Sequence, residues 1–166
     1  VSRLERAGAV IVGKTNMDQF ATGLVGTRSP YGALSSVANP EVVSGGSSSG
    51  SAVAVASGHC DVALGTDTAG SGRVPAALNG IVGLKPSRSL SSTRGVVPAC
   101  KSIDCVSIFA SSVADARRAL LTMVEPDARP LQTDGISRSA AVRAGVPAPG
   151  QLTWFDPEAQ PLFGLA

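Results

Sequence analysis

Serines and glycines are concentrated in two short stretches that together could form a hydrolytic site. The first reads Gly-Gly-Ser-Ser-Ser-Gly-Ser at 45–51, and the second reads Gly-Thr-Asp-Thr-Ala-Gly-Ser-Gly-Arg at 65–73. Ser71 lies between two glycines, whose missing side chains let a substrate carbonyl approach the hydroxyl. A tight turn there also directs successive backbone N–H groups at one oxygen, as oxyanion stabilisation requires. We interpret the stretches as one site built from two loops, with Ser71 as nucleophile.

The base that would accept the proton of Ser71 decides which serine chemistry is possible. The single histidine, His59, follows Gly58 at the predicted end of a buried helix, a position typical of an ordinary loop histidine. In a Ser-Lys arrangement a second serine passes the proton to a neutral lysine, which would explain the two clusters. Taken alone, Gly-Ser-Gly is more typical of a glycine-rich turn with an incidental serine, so the interpretation depends on both clusters.

Hydrophobic periodicity predicts the elements that must position these loops. Continuous apolar runs predict buried strands at 9–12, 61–64, 81–84 and 105–109. Helices are predicted at 1–7, 15–20, 52–56, 73–79 and 112–124, with N-terminal caps at Thr15 and Ser48. Glycines and prolines predict irregular segments at 22–43 and 85–104. The fold class predicted is α/β, with a mixed, mostly parallel, twisted sheet and helices on both faces.

The two ends of the sequence indicate a piece of a longer protein. There is no initiator Met, and both ends fall inside helical patterns, so we expect truncation at both ends. We expect one partial domain over 1–166 with its core motifs at 8–116. Residues 125–166 form its C-terminal part, with a surface connection at 125–138, a strand at 141–146 and a helix beginning near 156.

Residues 8–15 point to a different class of protein. They match the nucleotide-binding pattern G-x-x-x-x-G-K-[ST] letter for letter. In a true phosphate-binding loop a strand precedes the first glycine, and the four intervening residues wrap the phosphate with their N–H groups. Here those four residues are Ala-Val-Ile-Val, which we predict to be the strand itself. A P-loop nucleotide-binding domain is therefore the weaker alternative, and an ATP-binding assay would distinguish it from a hydrolase.

Composition and charge exclude several classes of protein. The chain of 166 residues is 43% hydrophobic and 16% charged, which indicates a soluble globular domain. A net charge of +2 gives no reason to expect nucleic acid or an anionic membrane as a partner. The three cysteines, Cys60, Cys100 and Cys105, are odd in number and lack metal-site spacing. We therefore expect a reduced, cytoplasmic protein with no metal and no cofactor.

The two clusters and their spacing resemble the amidase signature family, serine hydrolases that cleave carbon–nitrogen amide bonds. Ser47 and Ser71 are 24 positions apart (71 minus 47), as are the bridging serine and the nucleophile of that family. Residues 13–20 and 83–86 match two further landmarks of the family in the same order. The resemblance extends to about Ala116 and implies an amidase-signature-like core.

The resemblance also implies the reacting groups. Ser71 would be the nucleophile, and Ser47, preceded by a cis peptide bond, would be the bridging serine. The oxyanion would be bound by the backbone N–H groups of four residues, Thr68, Ala69, Gly70 and Ser71.

Other residues would support these groups. Asp67, Arg73 and Ser48 would brace the site, and a contact between Arg73 and an anionic substrate stays open. Gly23 and Tyr31 would contact the substrate.

Within the family, residues 97–107 are most similar to the allophanate hydrolase branch, which breaks urea-derived allophanate into ammonia and carbon dioxide. Ser49 replaces a glycine common elsewhere in the family, a change also typical of that branch. The alternative is a glutaminyl-tRNA amidotransferase A-type glutamine amidase, and a non-catalytic remnant is a further possibility. The expected partner is a small amide substrate, with a homodimer possible in the full-length protein.

The catalytic lysine of the family belongs to a motif upstream of Val1. A catalytic lysine must be neutral, which requires burial among the serines, and neither Lys14, Lys85 nor Lys101 is placed for that. We therefore predict that the parent protein is an amidase and that the isolated 166-residue chain is inert. Ammonia release from allophanate measures this, and turnover near ordinary enzyme rates, on the order of 1–1000 per second, would contradict it.

Overall fold

The computed structural model describes residues 1–124 together with 145, 148 and 151. The chain divides into two units, Val1–Pro130 and Leu131–Ala166. In the second unit, the backbone N–H of Gln151 donates to the carbonyl of Ala148 at 2.8 Å. The predicted connection at 125–138, the helix near 156 and, apart from Gly145, the strand at 141–146 lie outside the described residues.

The helices and strands of the described residues lie in the first unit. In chain order they are α1 (Ser2–Arg6), α2 (Ser49–Ala56), β1 (Val62–Asp67), α3 (Arg73–Leu78), β2 (Val82–Leu84), β3 (Cys105–Ala110) and α4 (Val113–Met123). The predicted helices at 1–7, 52–56, 73–79 and 112–124 are thereby confirmed, as are three of the four strands. Ser112 begins α4 by accepting the N–H of Asp115 on its hydroxyl at 3.1 Å. None of the helices in these ranges is long and apolar enough to cross a membrane.

The sheet has the order β1-β3-β2, and both pairings are antiparallel. Because β1 and β2 both run antiparallel to β3, they are parallel to each other, and α3 connects them. The predicted mixed, mostly parallel pairing is therefore not confirmed, since both pairings among these three strands are antiparallel. An apolar run reveals that a strand is buried but not which strand lies beside it. Here β3 returns from the irregular segment at 85–104 and fills the gap between β1 and β2.

The core lies on both faces of β3, which is buried at every position. On one face, Val106, Ile108 and Ala110 pack against α4. On the other, Phe109 packs against α2 and α3 through Ala52, Val55 and Ala76. Since side chains alternate along a strand, this pattern follows from one central strand with helices on both faces, as predicted.

The apolar run at 9–12 is not a strand. Val10, Ile11 and Val12 are 82%, 59% and 74% exposed, and the described residues include no strand that pairs with them. A continuous apolar run becomes a buried strand only where neighbouring strands and helices cover it. The sequence pattern could not show that this cover is missing from the described unit.

The predicted helix at 15–20 is also wrong. The segment contains only the start of a short 3-10 turn, Gln19–Ala21. The hydroxyl of Thr15 does not cap a helix, because it lies 2.8 Å from the hydroxyl of Ser51. Backbone groups of this segment bond instead to the serine loop, residues 44–50, with the carbonyl of Asn16 accepting from Gly50 at 2.9 Å. These tertiary bonds replace the helical ones.

Gly83 in β2 tests the contact between the sheet and α3. A Cβ at this position would lie 2.5 Å from the Cβ of Ala76, so Gly83→Ala should destabilise the chain by about 1–3 kcal/mol. The matched control is Gly13→Ala, where a Cβ meets nothing within 4 Å, and the expected change is within about 0.5 kcal/mol. Chemical denaturation measures both, and equal midpoints for the two variants would contradict the packing described.

Candidate active site

Asp67, at the carboxyl end of β1, organises the loop that carries Ser71. Its buried carboxylate accepts five hydrogen bonds. Three come from backbone N–H groups, those of Gly70 at 2.8 Å and of Gly72 and Arg73 at 3.1 Å. The other two come from Nε and Nη2 of the Arg73 guanidinium, both at 2.9 Å. The predicted pairing of Asp67 with Arg73 is present, and together these bonds fix the turn around Ser71.

The ionisation of Asp67 follows from the same contacts. Burial alone would raise the pKa of Asp67, because it disfavours the charged carboxylate. The hydrogen bonds from Arg73, Gly72 and Gly70 outweigh burial and hold the pKa of Asp67 below its ordinary value. The carboxylate in turn raises the pKa of the Arg73 guanidinium, whose side chain is 54% exposed. Asp67 is therefore a fixed anion that shapes the loop.

The serine loop at 44–50 is entirely buried and contains a cis peptide bond between Gly46 and Ser47, as the family resemblance implied. The carbonyl of Ser47 accepts the N–H of Asp18 at 2.9 Å, and the N–H of Gly46 donates to the carbonyl of Leu24 at 2.8 Å. Backbone groups of Asp18 and Leu24, both in the segment at 18–28, therefore hold the backbone on either side of the cis bond.

Asp18 strengthens this arrangement with its side chain. Its fully buried carboxylate accepts the N–H of Gly26 at 3.0 Å and that of Arg28 at 2.7 Å. The segment at 18–28 thus closes on itself around one carboxylate while its backbone holds the serine loop. Asp18 was not predicted from the sequence as part of the site, because the predicted helix at 15–20 gave it a capping role.

Ser48 and Ser51 tie the serine loop to β1. The Ser48 hydroxyl donates to the carbonyl of Thr66 at 3.2 Å and accepts its N–H at 3.1 Å. The Ser51 hydroxyl donates to the carbonyl of Leu64 at 2.8 Å. Ser48 does occupy the position before α2, but its side chain does not cap the helix, because Thr66 engages it. The predicted cap is wrong, whereas the predicted bracing position of Ser48 agrees with these bonds.

The structure brings the two serine clusters together. The backbone N–H of Ser48 donates to the carbonyl of Ser71 at 3.2 Å, so the residue after Ser47 lies directly against Ser71. Ser47 is fully buried, and its hydroxyl has no hydrogen-bond partner within the part of the chain that the structure describes. Buried hydroxyls are normally paired; among the described residues, those of Ser49 and Ser107 are also buried without a partner. Ser71 is 4% exposed.

The four N–H groups predicted to bind an oxyanion are not equivalent. That of Gly70 already donates to Asp67, which makes it the least available of the four for an oxyanion. Among the described residues, no acceptor is found for the N–H groups of Thr68, Ala69 and Ser71. Three donors around Ser71 therefore stay free to bind a developing negative charge, a role that stays a prediction.

The predicted substrate contacts occupy different settings. Leu24, next to Gly23, bonds to Gly46, so the Gly23 loop borders the serine loop. The side chain of Tyr31 is 89% exposed, and its backbone N–H donates to the Ser29 hydroxyl at 3.1 Å. This exposure places Tyr31 outside the buried cluster, so nothing in the described residues supports it as a substrate contact.

None of the three lysines meets the requirements of a catalytic base. Lys14 and Lys101 are exposed, and Nζ of Lys85 donates to the carbonyl of Pro86 at 3.3 Å. A neutral lysine would need burial among the serines, which these positions do not give.

The P-loop interpretation of 8–15 fails on geometry. A phosphate-binding loop connects a strand to a helix. In this structure α1 precedes Gly8, and no helix begins after Thr15 until the 3-10 turn at Gln19–Ala21. The match to the pattern is therefore coincidental.

Asp104 is a second carboxylate that was not assigned to the site from the sequence. It is 8% exposed and accepts the Thr68 hydroxyl at 2.5 Å. It also accepts the backbone N–H groups of Ala99 and Cys100 at 3.0 Å. The sequence signals for it were its place within 97–107, the stretch similar to the allophanate hydrolase branch, and its position directly before a predicted strand.

Comparison with known proteins gives a consistent assignment. The model of the family described as Amidase matches residues 1–151. The urea amidolyase of Lachancea kluyveri is 54% identical over 164 residues, 99% of this chain but 9% of that protein. The A-type subunit of the glutamyl-tRNA(Gln) amidotransferase of Symbiobacterium thermophilum is 46% identical over 148 residues, 89% of this chain and 30% of that protein.

Among solved structures, the allophanate hydrolase of Kluyveromyces lactis is 63% identical, with a TM-score of 0.74. The alignment covers 76% of this chain and 21% of that chain. The sequence thus spans only a small part of the proteins it matches.

Removing the charge of Asp67 tests its role in fixing the loop. Asp67→Asn should destabilise the chain by roughly 2–3 kcal/mol, because an amide oxygen cannot replace a carboxylate that accepts five hydrogen bonds. Asp115→Asn is the matched control, since Asp115 pairs with Arg118 on the exposed side of α4, and should cost less than about 1 kcal/mol. Equal losses from the two variants, measured by denaturation, would contradict this role.

The stability difference between wild type and Asp67→Asn should depend on pH. Because folding lowers the pKa of Asp67, the advantage of the carboxylate is fully present above the unfolded-state value of about 3.9. It should disappear as the pH falls through the lower folded-state pKa. Denaturation of both proteins between pH 7 and pH 2 measures this, and a difference that does not change with pH would count against it.

Proposed function

The chain belongs to the amidase family, and on that premise we propose that it supplies the nucleophile and the bridging serine of an enzyme that hydrolyses an amide bond of allophanate. The observation that carries this proposal is the placement of Ser47. Its buried, unpartnered hydroxyl belongs to a loop whose next residue bonds to the backbone of Ser71. A hydroxyl in this position suits the transfer of a proton.

In the proposed reaction, Oγ of Ser71 attacks the substrate carbonyl carbon and passes its proton to Oγ of Ser47. Ser47 gives its own proton to the base, and the negative charge on the carbonyl oxygen meets the free N–H groups of Thr68, Ala69 and Ser71. The carbon–nitrogen bond then breaks, and the nitrogen leaves with the proton from the base. Water hydrolyses the ester on Ser71 by the same route. Loss of one such N–H donor typically slows catalysis about 100- to 1000-fold.

The base in this scheme would come from outside the 166 residues. Lys14, Lys85 and Lys101 lack the burial that a neutral lysine needs, and His59 is exposed. We propose that this chain contributes the serines and the oxyanion site to a larger catalytic domain, with the core motifs at 8–116 as its centre.

Allophanate is the substrate that the comparisons favour. Identity is 54% to a urea amidolyase and 63% to an allophanate hydrolase, against 46% to the amidotransferase protein. We therefore propose a role in urea degradation, with glutamine as the alternative amide substrate. We also propose the reduced, cytoplasmic setting expected from the sequence.

A graft tests the proposed serines in a complete active site. The chain would replace its matching segment in the allophanate hydrolase of Kluyveromyces lactis, and ammonia release from allophanate would be measured. We expect an active graft, with Ser71→Ala reducing kcat by on the order of 10⁴-fold or more and Ser47→Ala by at least about 100-fold. Both losses follow from removing a hydroxyl that exchanges a proton during the reaction.

The matched control is Ser92→Ala, which changes an exposed serine and should leave kcat unaltered. Release of ammonia from glutamine but not from allophanate would favour the amidotransferase-type activity. Full activity of the Ser71→Ala graft would refute the assignment of the nucleophile.

A further inference from the structure

Thr68 and Asp104 lie where the ladder between β1 and β3 ends. The last pair in register is Asp67 with Cys105. Thr68 and Asp104 are therefore the residues directly beyond the paired ends of β1 and β3. The backbone ladder does not continue to them. Instead, the Thr68 hydroxyl donates to Oδ1 of Asp104 at 2.5 Å. One side-chain bond thus takes the place of the next backbone rung, and the N–H of Thr68 stays free among the described residues.

Asp104 is itself held firmly. Its carboxylate is nearly buried and accepts the N–H of Ala99 and, on both oxygens, the N–H of Cys100. The backbone N–H of Asp104 returns to the carbonyl of Cys100 at 2.9 Å. No lysine or arginine pairs with Asp104 within the described ranges, so neutral donors alone hold its charge. A hydroxyl bound to an ionised carboxylate makes a short, strong bond, which restricts Thr68 accordingly.

Two different carboxylates therefore fix the segment at 68–70, one at each end. Asp67 takes the N–H of Gly70, and Asp104 takes the side chain of Thr68. Between these two anchors, the N–H groups of Thr68 and Ala69 are neither bonded nor able to turn freely. An oxyanion site needs this combination, because its donors must point at the substrate before the charge develops.

We infer that Asp104 is a positioning residue for the oxyanion site: through the Thr68 hydroxyl it sets the direction of the N–H groups of Thr68 and Ala69. This inference rests on the proposed function. It assigns Asp104 no contact with the substrate, so its loss should lower kcat and leave KM largely unchanged.

The first experiment compares two replacements of Thr68 in the grafted enzyme. Thr68→Val keeps the shape but removes the hydroxyl, and should lower kcat about 10- to 100-fold with KM within about threefold. Thr68→Ser keeps the hydroxyl and should retain kcat within about threefold. The control, Thr122→Val, removes a hydroxyl that bonds to a carbonyl within α4 and should not change kcat.

Asp104→Asn provides a second route to the same bond. It should lower kcat by a similar factor, and the double variant with Thr68→Val should fall little below the poorer single variant, because both changes remove one interaction. Equal damage from Thr68→Ser and Thr68→Val, or full additivity in the double variant, would overturn the inference.

A readout without catalysis separates this inference from the proposed function. In the 166-residue chain, Thr68→Val should shift the amide NMR signals of residues 69–71, whereas Thr68→Ser should leave them near their original positions. An inactive graft with these shifts intact would reject the proposed function but keep the positioning role. Unchanged amide signals in Thr68→Val would reject the positioning role itself.

Discussion

The carboxylate of Asp67 is the interaction on which the site depends. Gly70 and Gly72, on either side of Ser71, are buried, and most buried backbone N–H groups in proteins have an acceptor. Asp67 supplies one acceptor group for the N–H groups of Gly70, Gly72 and Arg73 and binds the Arg73 guanidinium with its remaining capacity. Without this anion, the N–H groups of Gly70 and Gly72 would be unpaired at buried positions. The conformation around Ser71 is therefore a consequence of how one negative charge is satisfied.

The close approach of buried backbone segments explains why glycine and serine are frequent in the two stretches at 45–51 and 65–73. A Cβ at Gly72 would lie 2.6 Å from the side chain of Ser107, and a Cβ at Gly65 would lie 2.5 Å from the hydroxyl of Ser48. Only glycine lets these backbones approach so closely. Serine adds a donor and an acceptor at almost the same volume, so Ser48 can bond to Thr66 where a larger polar residue would not fit. Glycine allows the backbones to approach, and the serine hydroxyl supplies the hydrogen bonds between them.

How much could be predicted from the sequence depends on how far apart the interacting residues are. The strands at 62–67, 82–84 and 105–110 were located because the continuous apolar runs at 61–64, 81–84 and 105–109 predicted them. The strand predicted at 9–12 was wrong because the same pattern says nothing about neighbours. The antiparallel position of β3 was missed for the same reason.

In the site, too, a contact between residues close in sequence was predicted and a contact between distant residues was not. The Asp67–Arg73 pair is six residues apart and was predicted, whereas the Thr68–Asp104 bond joins residues 36 apart and was not. The bond between Gly70 and Asp67, which engages one predicted oxyanion donor, depends on the local turn geometry that no residue pattern specifies. Resemblance to a family led us to propose Ser47 and Ser71 as the reacting serines, but only the coordinates show which N–H groups have no acceptor among the described residues.

The central claim is that Ser71 reacts while three selected N–H groups bind the resulting charge. A crystal structure of the grafted enzyme treated with a serine-reactive phosphonate tests it most directly. We expect a covalent bond from Oγ of Ser71 to phosphorus and a phosphonate oxygen within about 2.7–3.1 Å of the N–H nitrogens of Thr68, Ala69 and Ser71. We also expect Oγ of Ser47 within about 2.6–3.2 Å of Oγ of Ser71. An adduct on another serine, or a Ser47 hydroxyl turned away from Ser71, would contradict it.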